Sequence, residues 1–114
     1  MTDQQDAVQK QLNELRKLYV AALPEKIKHL ESVYRRCVTD DQSDLMELCR
    51  TAHSLAGSAS IYSIKNVAEL AREIELLICP LASAPGNPPL GTWRQDTEVL
   101  LEKLKGLSNY PQIR

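Results

Sequence analysis

The sequence has no phenylalanine, a single tryptophan and four glycines, and its 14 basic and 15 acidic residues leave a formal net charge of −1. A chain this close to neutral has no strong field that would attract nucleic acid or a membrane surface. No stretch approaches the roughly 20 consecutive apolar residues of a membrane span. The polar residues 1–11 also lack the apolar core of a signal peptide. We therefore expect a cytoplasmic protein that binds neither nucleic acid nor membrane.

Cysteine is scarce as well, and its spacing is uninformative. Cys37, Cys49 and Cys79 are odd in number and include no C-x-x-C pair. A zinc site needs more ligands at closer spacing. We predict that the three cysteines are small buried apolar residues in a reducing compartment, and that the protein holds neither a metal nor a cofactor.

What the sequence does contain is helical periodicity. At 114 residues the chain is long enough for one domain whose core needs no disulfide or metal. Apolar residues recur at intervals of three and four in successive segments, which is typical of amphipathic helices. Short connections make neighbouring helices antiparallel. The pattern predicts an all-α, antiparallel four-helix bundle formed by a single domain over 1–114.

The first helical segment, 6–38, contains Pro24, and a proline removes one backbone hydrogen bond inside a helix. Because the apolar stripe keeps nearly the same phase on both sides, we favour one long kinked helix; two helices nearly in line are the alternative. His29 lies near the inner stripe and is predicted to be structural. The prolines and glycines of 80–91 predict a loop between helices, and 108–114 is predicted to be a flexible tail. The inner apolar stripe of the first helical segment, 6–38, begins with Val8, Leu12 and Leu15.

The helix around 48–60 contains two residues that packing does not require. His53 lies about 100° around the helix from Ala52, on the polar side. Gly57 follows one turn later on the same side, although glycine costs a helix about 1 kcal/mol relative to alanine. A histidine followed one turn later by a glycine indicates an imidazole that something large approaches closely.

The next helix, about 64–79, has an inward position near residue 75, which is Glu75. A carboxylate at such a position needs a partner or access to water. Glu75 could accept a hydrogen bond from one imidazole nitrogen of His53, leaving the other nitrogen as a nucleophile. Alternatively, it extends outward or pairs with Arg72 or Lys65. The spacing gives these two interpretations similar weight.

The segment His-Ser-Leu-Ala-Gly-Ser-Ala at 53–59 resembles the H-x-L-K-G-S-[SA] segment of histidine-containing phosphotransfer (HPt) domains of bacterial and fungal phosphorelays. The resemblance extends over nearly the whole chain. Residues 18–39, with a central Leu-Pro, are similar to the long second helix of that family. Asp40-Asp41 is similar to the acidic turn before its active-site helix, and 67–77 to its L-x-x-L-x-x-x-x-E segment.

The resemblance implies that His53 accepts a phosphoryl group from a receiver-domain aspartate or a sensor kinase. It then passes the group to a response-regulator aspartate. The family's orienting Gln or Glu falls on Glu75. The implied partners are receiver domains, with Mg²⁺ on the receiver, and a hybrid sensor histidine kinase. The chain would be a phosphocarrier without a kinase site, not an enzyme, and we expect a free-standing monomer; a fragment of a larger hybrid kinase is the alternative.

Four residues near the histidine are predicted to bind the partner. Arg50 lies one turn before it and could contact phosphoryl oxygens, or could be a solvated surface arginine. Gly57, which has no side chain, would let a receiver domain approach the helix surface next to His53 closely. Ala56 replaces the family's usual lysine, and Ser63 replaces a glycine, which implies a slightly different turn. These departures motivate an alternative function, a receiver-binding adaptor that carries no phosphate. The four predicted partner-binding residues are Arg50, Ala56, Gly57 and Ser60.

Overall fold

A computed structural model describes residues 3–37, 41–83 and 92–108. This part of the chain contains four α-helices and no strand, which confirms the prediction of an all-α four-helix bundle. The helices are α1 (Asp3–Arg36), α2 (Gln42–Ile61), α3 (Lys65–Ala82) and α4 (Trp93–Ser108).

α1 is one uninterrupted helix of 34 residues that contains Pro24. The single-helix prediction is therefore confirmed. The side chain of Pro24 is exposed, and a proline on the solvent side of a helix can be accommodated without ending it. Every third or fourth residue from Tyr19 onward is buried, in agreement with an amphipathic helix. These residues are Tyr19, Leu23, Ile27, Leu30 and Val33.

The N-terminal part of α1 differs from the predicted inner stripe. Val8, Leu12 and Leu15 are about half exposed. At 1.5 Å per residue α1 is about 50 Å long, whereas the other helices have 16 to 20 residues, so they cannot cover its whole length. His29 is also exposed, which corrects its predicted position near the core.

The core lies between the C-terminal half of α1 and the other three helices. Its large, fully buried side chains are aliphatic and come from all four helices and from the turn between α2 and α3. Burial of each such side chain contributes about 1.5–3 kcal/mol, so an aliphatic core of this size explains how the chain folds without phenylalanine. The ten largest include Leu23, Ile27, Leu30, Leu45, Leu48, Ile64, Ile74, Ile78, Leu101 and Leu104.

α4 packs against α1 in the opposite direction. Arg35 of α1 pairs with Glu98 at 2.5 Å, and Lys105, two turns further along α4, pairs with Glu31 at 3.0 Å. The hydrogen bond from Lys105 lowers the pKa of Glu31, so the carboxylate stays ionised next to the ammonium group.

The predicted tail, 108–114, begins at the last residue of α4 and otherwise lies outside the described residues.

The turn between α2 and α3 is a Schellman motif. The backbone N–H of Ser63 donates to Ser60 O at 3.0 Å, and that of Ile64 donates to Ala59 O at 2.9 Å. Ser63 has a φ of 60°, in the left-handed region that favours glycine. The turn thus has the backbone conformation that glycine usually supplies, although the residue is serine. It directs α3 back along α2.

α3 continues past Pro80 to Ala82, so the predicted loop at 80–91 began too early. A proline in the last helical turn removes a single backbone hydrogen bond. The N–H group of Ser83 still donates to the carbonyl four residues before it at 3.0 Å, which keeps the turn closed. Residues 84–91, the remainder of the predicted loop, lie outside the described residues.

A disulfide joins Cys49 of α2 to Cys79 of α3, with 4.9 Å between the two Cα atoms. The prediction that all three cysteines are separate buried apolar residues was therefore wrong for this pair. Cys37 alone of the three is buried, at 1% exposure. The two bonded cysteines are 30 residues apart, and they meet because α2 and α3 pack in one particular register.

Candidate functional site

His53 lies near the middle of α2, with 73% of its side chain exposed. The carboxylate of Asp41 caps the start of this helix by accepting a hydrogen bond from the backbone N–H of Ser43 at 2.8 Å. Ala52, the residue before the histidine, is completely buried. α2 therefore packs against the core through the face that includes Ala52, and the imidazole of His53 lies on the solvent side.

Glu75 of α3 lies directly against this imidazole. Its Oε2 atom is 2.6 Å from His53 Nδ1, and its side chain is 20% exposed. An ionised carboxylate can only accept hydrogen bonds, so in the neutral imidazole Nδ1 carries the proton and Nε2 retains its lone pair. The structure thus brings together the two residues that the sequence singled out, and it leaves on Nε2 a lone pair that can act as a nucleophile.

The other predicted site residues divide into two groups. Arg50, Gly57 and Ser60 are exposed on α2, on the side where His53 is also exposed. Ala56 is only 6% exposed and belongs to the core, which corrects its assignment as a partner-binding residue. The physical reason is its angle: with 100° per residue it points toward α3, as Cys49 does.

Gly57 is not required by the fold. A Cβ atom added there would meet no heavy atom within 4 Å. Alanine has a higher helix propensity than glycine by about 1 kcal/mol, so the glycine lowers the stability of α2 without relieving any contact with the described residues.

α1 holds the C-terminal half of α2 through polar and aromatic contacts that the sequence analysis missed. The hydroxyl groups of Tyr19 and Ser58 are hydrogen-bonded at 2.7 Å, and the rings of Tyr19 and Tyr62 stack with centroids 4.8 Å apart. Arg16 Nε donates to the carbonyl of Tyr62 at 2.9 Å. Burial raises the pKa of Tyr19, which keeps its hydroxyl neutral. These contacts join residues about 40 positions apart, so no local pattern indicates them.

The disulfide is the second feature of the site that sequence reasoning missed. Cys49 precedes His53 by four residues, and Cys79 follows Glu75 by four. Residues four apart lie on the same helix face, so each cysteine is one turn from one member of the histidine–carboxylate pair. That repeated spacing was a signal available in the sequence.

Within 3–37, 41–83 and 92–108, no group of three or more His, Cys, Asp or Glu residues is arranged to hold a metal ion. None of the helices in these ranges is long and apolar enough to cross a membrane.

A comparison with protein families gives one match: the family model described as "Hpt domain" covers residues 14–109. This range includes all of α2 and α3 and most of α1, and it extends to the end of α4. No curated protein and no solved structure matches the chain.

Proposed function

Because the chain belongs to the Hpt domain family, we propose that it is a phosphorelay intermediate, which accepts a phosphoryl group on His53 and passes it to a response-regulator aspartate. Membership of the family implies a role in histidine phosphotransfer within two-component phosphorelays. The observation that carries the assignment to this residue is the exposed imidazole whose Nδ1 lies 2.6 Å from Glu75.

The transfer step follows from that geometry. The lone pair on Nε2 of His53 attacks the phosphorus of an aspartyl phosphate on the receiver domain. An N–P bond forms as the bond between phosphorus and the aspartate oxygen breaks, and the aspartate leaves as a carboxylate. Positive charge develops on the imidazole during this step, and the carboxylate of Glu75 stabilises it at Nδ1–H. In the onward step a carboxylate oxygen of a second receiver's aspartate attacks the phosphorus, an O–P bond forms as the N–P bond breaks, and the imidazole of His53 leaves in its neutral form.

The surface next to the imidazole suits a large partner. Gly57 leaves open space one turn beyond the histidine, so the rim of a receiver pocket can approach α2 closely. We propose that Arg50 and Ser60, both exposed, contact that rim or the phosphoryl oxygens. The partners would be receiver domains and a hybrid sensor histidine kinase. Mg²⁺ would be bound by the receiver, and the chain would act as a cytoplasmic monomer and carrier without kinase activity.

The function is tested by mixing the purified chain with a phosphorylated receiver domain and following phosphate by intact-mass spectrometry. We expect a phosphoryl group on the chain that is labile in acid and stable in base, with matching loss from the receiver. Receiver binding measured by calorimetry without any phosphoryl transfer, from receivers or from active sensor kinases, would instead support the adaptor function.

Removing the orienting carboxylate should slow the transfer. We expect Glu75→Ala to lower the rate of phosphoryl acceptance roughly 10- to 100-fold, because the imidazole loses the group that fixes its tautomer and orientation. Rapid-quench kinetics with a phosphorylated receiver measure this rate. Glu75→Gln retains an acceptor oxygen and should keep more of the activity.

Glu73→Ala is the matched control, since Glu73 is an exposed carboxylate on the same helix and the variant should transfer at the unmodified rate. The thermal unfolding midpoints of Glu75→Ala and Glu73→Ala should both stay close to that of the unmodified chain. If Glu75→Ala transferred phosphate as fast as the unmodified chain, the carboxylate would have no part in the reaction.

Gly57 should show opposite effects on stability and on transfer. We expect Gly57→Ala to raise the free energy of unfolding by about 1 kcal/mol, because alanine favours the helix and meets no obstruction. Gly57→Gln adds bulk beside the imidazole and should slow transfer roughly tenfold by displacing the receiver from its reactive position. Urea unfolding and rapid-quench kinetics measure the two effects.

Gly106 in α4 provides the control, because an added Cβ there also meets no heavy atom within 4 Å. Gly106→Ala should stabilise the chain by a similar amount, and neither Gly106→Ala nor Gly106→Gln should change the transfer rate. Equal rates for Gly57→Gln and Gly106→Gln would show that the surface beside the histidine is not a docking surface.

A further inference from the structure

The disulfide and the histidine–carboxylate pair occupy adjacent positions along the same helix pair. α2 and α3 are antiparallel. Cys49 lies four residues before His53 in α2, and its partner Cys79 lies four residues after Glu75 in α3. The two contacts are therefore successive cross-connections between the helices, one helical turn apart. The covalent connection adds a constraint on the two helices at the position next to the imidazole of His53.

Both bonded cysteines are partly exposed, whereas Cys37 is buried at 1% exposure. The thiol of Cys37 lies 3.5 Å from the carbonyl oxygens of Val33 and Asp44, deep between α1 and α2. A small thiol in solution can thus reach the disulfide without unfolding the bundle, but it cannot reach Cys37. Accessibility is a requirement for thiol–disulfide exchange.

The disulfide is one of the contacts that hold the C-terminal half of α3 against α2. Pro80 follows Cys79 directly and supplies no backbone N–H to the last turn. Beyond it, the side-chain amide of Gln42 donates to the backbone carbonyl of Ala82. With the disulfide in place, the Cα atoms of Cys49 and Cys79 are 4.9 Å apart. Because each Cα lies about 2.3 Å from its helix axis, the two axes lie about 8–10 Å apart, as is usual for packed helices, and the bond holds them at that separation. Opening it removes that constraint one turn from Glu75.

We propose that Cys49–Cys79 is a thiol–disulfide exchange site whose oxidation state controls the position of Glu75 against His53 and hence the rate of phosphoryl transfer. The co-substrate is a low-molecular-weight thiol. One thiolate attacks a sulfur of the disulfide to give a mixed disulfide and one cysteine thiolate. A second thiolate attacks the reagent's sulfur in the mixed disulfide and displaces the other cysteine as a thiolate, so that two thiols of the reagent become one disulfide and both cysteines, once protonated, are thiols. A low-molecular-weight disulfide drives the reverse reaction.

This inference rests on the proposed function, because the regulated step is the transfer to and from His53. The size of the core supports a regulatory reading of the disulfide, since a 114-residue bundle with an extensive aliphatic core does not need a cross-link to fold. Where such a domain works in a reducing compartment, disulfides are usually transient and redox-sensing.

The test compares one protein preparation in two oxidation states. The full chain is treated with dithiothreitol or with oxidised glutathione and desalted. Alkylation with mass spectrometry then verifies the state of each cysteine. We expect the oxidised form to accept phosphate about tenfold faster than the reduced form, as a small displacement of the orienting carboxylate implies, and we expect re-oxidation to restore the rate.

Two variants test whether the bond between Cys49 and Cys79 is the source of the redox response. Cys49→Ser/Cys79→Ser should transfer at the rate of the reduced chain in both treatments, and Cys37→Ser should keep the full redox response. Imidazole ¹⁵N shifts of His53 provide a readout that needs no phosphate: the oxidised form should show one dominant tautomer protonated at Nδ1, and the reduced form a mixture.

The outcomes distinguish this inference from the proposed function. Transfer at equal rates in both verified states, with equal ¹⁵N shifts, would overturn the redox control and leave the phosphocarrier function intact. Failure of the disulfide to form with oxidised glutathione would overturn it as well. If no phosphate were transferred in either state, the proposed function would fail and with it the control of transfer, while a redox-dependent change in the ¹⁵N shifts would still support the positioning of Glu75 by the disulfide.

Discussion

His53→Gln should reduce phosphoryl transfer to the chain to background while leaving the bundle folded. The amide nitrogen of glutamine has no available lone pair, so no N–P bond can form. The side chain at this position is 73% exposed, and substitutions at such sites usually change stability by no more than about 0.5 kcal/mol. Glutamine can still donate a hydrogen bond to Glu75, which avoids leaving that partly buried carboxylate without a donor.

The measurement is intact-mass detection of the acid-labile phosphoryl group after incubation with a phosphorylated receiver. Circular dichroism melting verifies the fold of the variant. His29→Gln is the matched control, because His29 is the second histidine of the chain and is also exposed. Its labelling should equal that of the unmodified chain. Full labelling of His53→Gln would rule out His53 as the acceptor. Loss of labelling in His29→Gln would instead identify His29, in α1, as the acceptor.

Reduction of the disulfide should produce the largest change in stability. The bond closes a loop over a sequence separation of 30. In the chain-entropy description, closing a loop of this length stabilises the folded state by about 3–4 kcal/mol, because the unfolded chain loses conformational freedom. We expect reduction to lower the free energy of unfolding by that amount and the melting temperature by roughly 10–15 °C.

Urea unfolding with and without dithiothreitol measures this difference. The double variant Cys49→Ser/Cys79→Ser should match the reduced chain and should not respond to the reductant, whereas Cys37→Ser should retain the full response. If the urea midpoint stayed the same after verified reduction of the disulfide, the cross-link would add no stability. The bundle should remain folded at 25 °C in either state, since its core does not include the cross-link.

Much of the site was predictable because its signals are local. The three-and-four spacing of apolar residues placed Ala52 inward and His53 outward within a single turn. The same reasoning marked Glu75 as a carboxylate on an inward position, for which a partner had to be found. It left open whether that partner was the imidazole or a nearby cation, because spacing within one helix does not say which residue of another helix lies opposite.

The errors have several origins. Val8, Leu12 and Leu15 fit the apolar stripe, but they are about half exposed, because α2, α3 and α4 are too short to cover the whole length of α1. Ala56 was predicted to bind the partner from its place in a motif, but it lies on the apolar face of α2 and is buried. Pro80 was assigned to a loop because proline disfavours helix interiors, although the last turn tolerates it.

The sequence by itself therefore determined the four helices, the orientation of α2 and the identity of the exposed histidine. Helix formation and the choice of a buried face depend on residues within a few positions of one another. Only the tertiary structure decided which atoms meet across helices: Nδ1 of His53 with Oε2 of Glu75, and Cys49 with Cys79. Those contacts depend on the register between α2 and α3, which is set by the combined packing of many side chains and by the Ser63 turn.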